Sequence, residues 1–373
     1  MDERIWALDL AQKIKDKLMV VAERTGEKIP YTTVDGQFDD MGEKNVTWWT
    51  NGFWGGMMWQ LYHGTKNELF RERAEQNEKK LDLVLMEAQG LDHDNGFKWL
   101  PTSVAHYRLT GDMDSRNRGL LAANNLAGRF NPVGSFIRAW NDNGDGRTAG
   151  WAIIDCMMNL PLLYWASIEI NDPRFAQIAK LHANTVLKNF IREDGSVKHI
   201  VEFNPYTGEY VKNYGGQGMD ENSAWTRGQA WAIYGFILSY IHTEDNNYLE
   251  AAKKIANYFI SNIPESGLIP VDFYQPKDIT WEDSTAASIA ACGLLEISKL
   301  VTSEEKDVYY NAALKMLKAL CDNRCNWDLN SDYILEKCTA AYHDKVHDFS
   351  IIYGDYYFIE AIWKLTGEEL FLW

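Results

Sequence analysis

Apolar residues recur along the chain at helical spacing, in segments of two kinds. In Glu68–Met86, residues 173–190 and residues 248–260 they form one stripe with charges between them, which predicts helices with one solvated side. In the second kind they cover most faces. Six such segments begin near Gly52, Phe97, Trp151, Arg227, Ser284 and Gly354, open on Gly or aromatic residues and end near a polar turn. Trp54-Gly-Gly-Met-Met-Trp-Gln-Leu-Tyr62, ending at Gly64-Thr65, shows the form, as does Tyr357-Phe-Ile-Glu-Ala-Ile-Trp363, ending at Thr366-Gly367. A helix that is apolar all round has to be buried all round. Stretches of alternating polarity are few and short, so strands should be minor.

Six buried segments alternating with amphipathic ones form an internal repeat. The pattern predicts an all-α fold, an (α/α)6 barrel: a six-hairpin toroid with an inner helical ring, an outer ring and a cleft at one end. The alternative is an open helical solenoid. Unequal repeat lengths, and different polar residues in each repeat, speak for the toroid, since solenoid repeats are more uniform. Length alone allows two domains, but no Ser/Pro-rich linker, low-complexity tract or long single-sign charge run interrupts the 373 residues. The expectation is a single barrel domain over residues 1–373.

Composition adds limits. With 46% hydrophobic residues the chain can bury one large core. Its 15 Trp and 19 Tyr need space or ligands to stack on. The charged opening Met1-Asp2-Glu3-Arg4 has no apolar signal region, and the most apolar stretch, residues 151–170, is interrupted by Asp155, Asn159 and Pro161. That stretch reads as a core helix, not a membrane span. Five irregularly spaced cysteines read as reduced thiols, and the expected location is cytoplasmic. A net charge of −16 argues against nucleic acid or an anionic membrane as partner. An anionic substrate would need a local cationic pocket.

Two carboxylates stand out. Asp94 lies in the loop Leu91-Asp-His-Asp-Asn-Gly-Phe97, just before a buried segment. It reads equally as a helix N-cap or as a functional group. Asp155 is a lone carboxylate in the apolar run Trp151-Ala-Ile-Ile-Asp-Cys-Met-Met-Asn159. Burial there would raise its pKa and suit it to donate a proton near neutral pH, unless it only bonds a backbone donor. Ala224-Trp-Thr-Arg-Gly-Gln-Ala-Trp231 puts Arg227 and Trp231 on one helical face, a fork for a carboxylate beside an aromatic ring, or else an Arg paired with a structural acid. Thr47-Trp-Trp-Thr-Asn-Gly-Phe-Trp54 is a candidate sugar platform or core packing. Asn141-Asp-Asn-Gly-Asp-Gly146 has a calcium-loop look, but its twelfth position is Ala152, not Glu. The eight His show no HExxH spacing, and no phosphate-cradling glycine loop occurs. No metal and no cofactor is expected. The residues thus point to an acid/base enzyme acting on carbohydrate.

The chain resembles unsaturated glucuronyl hydrolase, glycoside hydrolase family 88. The matching segments are Trp49-Thr-Asn-Gly-Phe-Trp54, Leu91-Asp-His-Asp-Asn-Gly-Phe97, Ile153-Ile-Asp-Cys156 with Asn159-Leu-Pro-Leu-Leu163, Trp225-Thr-Arg-Gly-Gln-Ala-Trp231, Ala290-Ala-Cys-Gly-Leu-Leu-Glu296 and Tyr353-Gly-Asp-Tyr-Tyr357, in family order over nearly the whole chain. The resemblance implies the same toroid. It implies Asp155 as acid/base and Asp94 as the second essential aspartate. It implies a sugar site lined by Trp49, His93, Trp140, His199, Gln217, Arg227, Trp231 and Tyr342. In two places the chain departs from relatives: Gly216 stands where some carry His, and Ala341, Asp344 and Lys345 replace the Ser-x-x-Ser-x-Lys of those that prefer sulfated substrates.

The reaction this implies is hydration. Polysaccharide lyases leave a uronate with a C4=C5 vinyl ether at the non-reducing end. Protonation at C4 and water addition at C5 give a hemiketal, which opens and expels the neighbouring sugar. The expected substrates are unsaturated glycosaminoglycan disaccharides. The alternatives are an unsaturated rhamnogalacturonyl hydrolase acting on pectin fragments, or a non-catalytic carbohydrate-binding toroid.

Overall fold

The computed structural model describes residues 3–373 apart from 89, 143 and 145. Six inner helices follow one another around a ring: Phe53–Thr65, the helix formed by Asn95–Trp99, Leu100–Val104 and Ala105–Thr110, then Leu160–Glu169, Thr226–Thr243, Ser284–Leu300 and Ile352–Thr366. The last packs against the first, so the ring closes. Outer helices Glu3–Thr25, Glu68–Met86, Met113–Gly128, Pro173–Asn189, Asn246–Ser261 and Ser303–Asn323 wrap it. This is the (α/α)6 barrel that the repeat predicts.

The inner helices are buried over most of their length, with exposure confined to their last turns. Ser284–Leu300 is buried without interruption from Ser284 to Ser298. Small residues let neighbouring helices approach: a Cβ on Gly235 would stand 2.4 Å from the Cβ of Met157. Four of the outer helices begin on side-chain caps. Asn67, Asp112, Asp172 and Asp245 each accept a backbone N–H of their own first turn, satisfying donors a helix start leaves open.

Chain connectivity decides where a site can form. Each of the first five inner helices passes to the next outer helix through a link of two or three residues, as at Thr65–Glu68 and Glu169–Pro173. The return connections, such as residues 129–159 and 190–225, are long. All the long loops therefore gather at the end where the inner helices begin, and inner-helix N-termini carry partial positive charge. The opposite end is closed by Trp373, whose Nε1 donates to Glu360 at 2.8 Å.

One predicted element is corrected. The segment from Trp151 does not begin as a helix. Trp151–Ile153 is a strand, Ile154–Met158 a 3-10 turn, and the helix begins at Leu160. Pro161 sits in its first turn, where a missing N–H costs nothing. Ahead of it the β-branched Ile153 suits extended backbone, and the strand pairs antiparallel with Ile200–Phe203, which pairs with Tyr210–Tyr214. Asp155 thus stands at a strand-to-helix junction and not inside a helix. Among the described residues no helix is long and apolar enough to cross a membrane, and the five cysteines are unpaired.

Candidate active site

A cleft of about 510 Å³ opens at the long-loop end. Its lining includes Thr47, Trp48, Trp49, Asp92, His93, Asp94, Trp140, Ile153, Asp155 and Gln217. Both singled-out aspartates are among them, although 61 residues of chain separate them.

Asp94 occupies the N-cap position of Asn95–Trp99, yet its carboxylate makes no capping bond. The cap reading is set aside. Asn159 donates from Nδ2 to its Oδ1 at 3.4 Å, and His93 Nε2 lies 3.5 Å from the same oxygen. The Asn159 Oδ1 in turn accepts the backbone N–H of Phe97 at 2.8 Å. Burial, then the Asp92 carboxylate two residues back, push the Asp94 pKa well above the usual carboxylate range; Lys98 opposes them. Lys98 is itself fully buried, 3.6 Å from Asp92.

Asp155 keeps 14% of its side chain exposed, on the cleft side. Among the described residues no group hydrogen-bonds its Oδ1. Burial pushes its pKa up to about 7, against the pull of the Arg227 charge. His199 Nε2 lies 3.7 Å from that oxygen. The His199 Nδ1 stands between the N–H of Gln217 at 3.0 Å and the carbonyl of Gly215 at 3.2 Å. Serving the shorter contact leaves the ring proton on Nε2, facing Asp155. Burial lowers the pKa of His199 to about 3 and that of His93 to about 4. Both rings are therefore neutral at ordinary pH. Gly216 is needed where it stands: its φ is +58°, and a Cβ would come within 2.1 Å of the His199 ring.

The remaining expected residues divide. Trp49, Trp140 and Gln217 line the cleft. Tyr342 does not line the cleft; it is buried behind Gln217, its N–H donating to the Gln217 carbonyl at 2.9 Å. Trp231 is fully buried beneath the cleft in an aromatic floor, its ring centroid 5.1 Å from that of Phe97, which is 5.4 Å from Trp49. Arg227 is 1% exposed. Its Nη1 donates to Asp283 at 2.5 Å and to the Thr339 carbonyl at 2.6 Å, and its Nη2 to the Ala340 carbonyl. Both terminal nitrogens are engaged within the protein, so the structure revises the expected open fork: Arg227 is a buried strut whose charge reaches Asp155.

Asn159, Asp92 and Lys98 belong to the site without having been singled out by the sequence. A lysine four residues after Asp94, in a segment otherwise apolar, is the signal that could have found them. Among the described residues no cluster of His, Cys, Asp or Glu is arranged to hold a metal ion. Residues Asn143 and Asp145 of the calcium-like stretch lie outside the described residues.

A closed helical toroid whose loop end holds two buried carboxyls with raised pKa, two neutral histidines and a rim of tryptophans defines an acid/base enzyme for a carbohydrate-sized ligand. The chain matches Glycosyl Hydrolase Family 88 over residues 21–362. It is 35% identical to the unsaturated glucuronyl hydrolase of Bacillus sp. (strain GL1), over 95% of this chain and 96% of that protein. It is 34% identical to the unsaturated chondroitin disaccharide hydrolase of Streptococcus pneumoniae (strain ATCC BAA-255 / R6), over 88% and 84%. The crystal structure of the unsaturated glucuronyl hydrolase of Streptococcus agalactiae superposes with a TM-score of 0.93 at 30% identity, over 99% of this chain and 94% of that one. The chain belongs to glycoside hydrolase family 88, the unsaturated glucuronyl hydrolases.

Proposed function

We propose that the protein removes the unsaturated uronate from the non-reducing end of glycosaminoglycan-derived oligosaccharides by hydrating its C4=C5 bond, with Asp155 as the acid. The observation that carries this is the Asp155 carboxyl itself. It faces the cleft, its pKa is held near 7 by burial, and its Oδ1 is unengaged among the described residues. A carboxylic acid so placed is half protonated at neutral pH, the best condition for general acid catalysis. Asp155 gives its proton to C4. A water adds at C5 and passes a proton back to the Asp155 carboxylate. The C5 hemiketal then opens to a ketone, and C1 releases the aglycone alcohol. Asp94, steadied by Asn159 and His93, stabilises the charge that develops on the ring. The neutral His199 stands beside Asp155, its Nε2 3.7 Å from the Oδ1, and adds no charge to oppose the proton transfer.

The substrate class is supported by relatives. A variant of the Streptococcus agalactiae enzyme was crystallised with dGlcA-GalNAc6S, and another related structure holds dGlcA-Glc-Rha-Glc. The test is turnover of unsaturated chondroitin, hyaluronan and heparin disaccharides, read as loss of conjugated-acid absorbance, beside an unsaturated rhamnogalacturonan disaccharide and a saturated p-nitrophenyl glucuronide. Turnover of the saturated glucuronide at a comparable rate overturns the hydration mechanism.

A further inference from the structure

We infer that the sheet beside the cleft is an outer sugar-binding shelf that takes the third residue of an unsaturated tetrasaccharide, with Lys212 recognising that residue's carboxylate. The inference rests on the proposed activity and extends it from the reacting uronate to the far end of the substrate.

The argument is one of register. Side chains alternate faces along a strand, so residues two apart share a face. Ile153 lines the cleft, and Trp151 shares its face. Across the sheet Ile153 pairs with Ile200 and Trp151 with Glu202; Ile200 pairs in turn with Tyr214, and Glu202 with Lys212. The face that forms the cleft wall therefore continues outward as Trp151, Glu202, Tyr214 and Lys212. Trp140 begins the run inside the cleft. The Trp151 ring centroid lies 6.0 Å beyond it, and Tyr214 lies 4.9 Å from Trp151. All three rings are partly exposed. A path of partly exposed aromatic rings leading out of a sugar cleft offers successive stacking surfaces.

The path ends on a cation. Lys212 is exposed, with Nζ 4.5 Å from the Tyr214 ring centre. Its cross-strand neighbour Glu202 is engaged by the Tyr214 hydroxyl. In a protein of net charge −16, a lysine at the end of an aromatic path favours an anionic sugar there. In a polymer whose uronates alternate with amino sugars, the residue two beyond the reacting one is again a uronate. The shelf therefore selects tetrasaccharides over disaccharides, and a charged third residue over a neutral one.

The test is calorimetric titration of unsaturated hyaluronan di- and tetrasaccharide into Asp155→Asn, with and without Lys212→Ala or Tyr214→Ala, and the same pair as substrates of the otherwise wild-type chain. The tetrasaccharide is expected to bind more tightly. Lys212→Ala should weaken it by roughly fivefold, the upper end for an exposed ion pair, and leave the disaccharide within twofold. The tetrasaccharide advantage should shrink as salt rises, because surface charges are screened. Equal affinity for the two lengths, or equal weakening of both by Lys212→Ala, overturns the shelf. Length-selective binding without turnover of either substrate leaves the shelf standing and removes the proposed activity.

Discussion

Asn159 ties Asp94 to the backbone of the helix that follows it. Its amide nitrogen reaches the Asp94 Oδ1 at 3.4 Å, while its amide oxygen accepts the Phe97 N–H at 2.8 Å. The carboxylate is thereby held off its own helix cap and kept for the cleft. Asn159→Ala removes both bonds and leaves a buried N–H unpaired, a loss of about 1–3 kcal/mol. Thermal unfolding should register that drop. Turnover should fall further than residual folding explains, because Asp94 becomes free to cap Asn95–Trp99.

Asp155→Asn keeps the shape and removes the titrating proton. Turnover should fall by ~10²–10⁴-fold with the circular dichroism unchanged. Near wild-type turnover in the folded variant removes Asp155 from the mechanism.

The same group predicts a pH effect of known sign. Its pKa is about 7 in the fold against 3.8 ordinarily, so between those values the folded state binds more protons than the unfolded state. Stability therefore falls as pH rises through that window, by up to about 4 kcal/mol. Asp155→Asn should raise the melting temperature relative to the parent at pH 8 and lose that advantage near pH 4. Activity of the parent should decline above pH 7 as the proton is lost.

The buried histidines work the other way. His93, His199 and His182 have pKa values lowered by burial to about 4, 3 and 3. The unfolded chain takes up protons near the ordinary histidine value, and the folded one does so only well below it. Stability should drop as pH falls from about 6.5 toward 3. Proton uptake on acid unfolding, measured by titration, checks this.

Arg227→Lys keeps the charge but cannot span Asp283, Thr339 and Ala340 together. The buried Asp283 keeps a cation beside it but the Thr339 and Ala340 carbonyls cannot all be served, and a buried acceptor left unpaired costs about 1–3 kcal/mol. The melting temperature should fall sharply even where kcat persists. A variant as stable as the parent, with only KM raised, returns Arg227 to the role of a substrate fork.

Activity should survive exhaustive chelation, since the calcium-like stretch from Asn141 carries Ala152 and not Glu at its twelfth position and the histidines show no metal-ligand spacing. A loss restored by one added divalent ion overturns this.

The sequence by itself determined the inner and outer helices. Stripe width reports how many faces a helix buries, and that information is local. It carries Glu68–Met86 to the residue and the start of Ser284–Leu300, and six repeats of two helix kinds leave few arrangements besides a closed ring. It also marked Asp155, since a lone carboxylate in an apolar run is visible in one dimension, and Asp94 by its place in a polar loop just before a buried segment. What it could not decide depends on partners distant in the chain. Whether residues 151–153 extend or coil was decided by pairing with Ile200–Phe203, because strand hydrogen bonds come from another segment. Whether Asp94 caps its helix was decided by Asn159, 65 residues on. Whether Arg227 meets a ligand or the protein was decided by the 283 and 339–340 segments closing over its guanidinium. Even the acid's strength belongs to the tertiary structure, for desolvation sets it, and water is excluded only once the ring has closed.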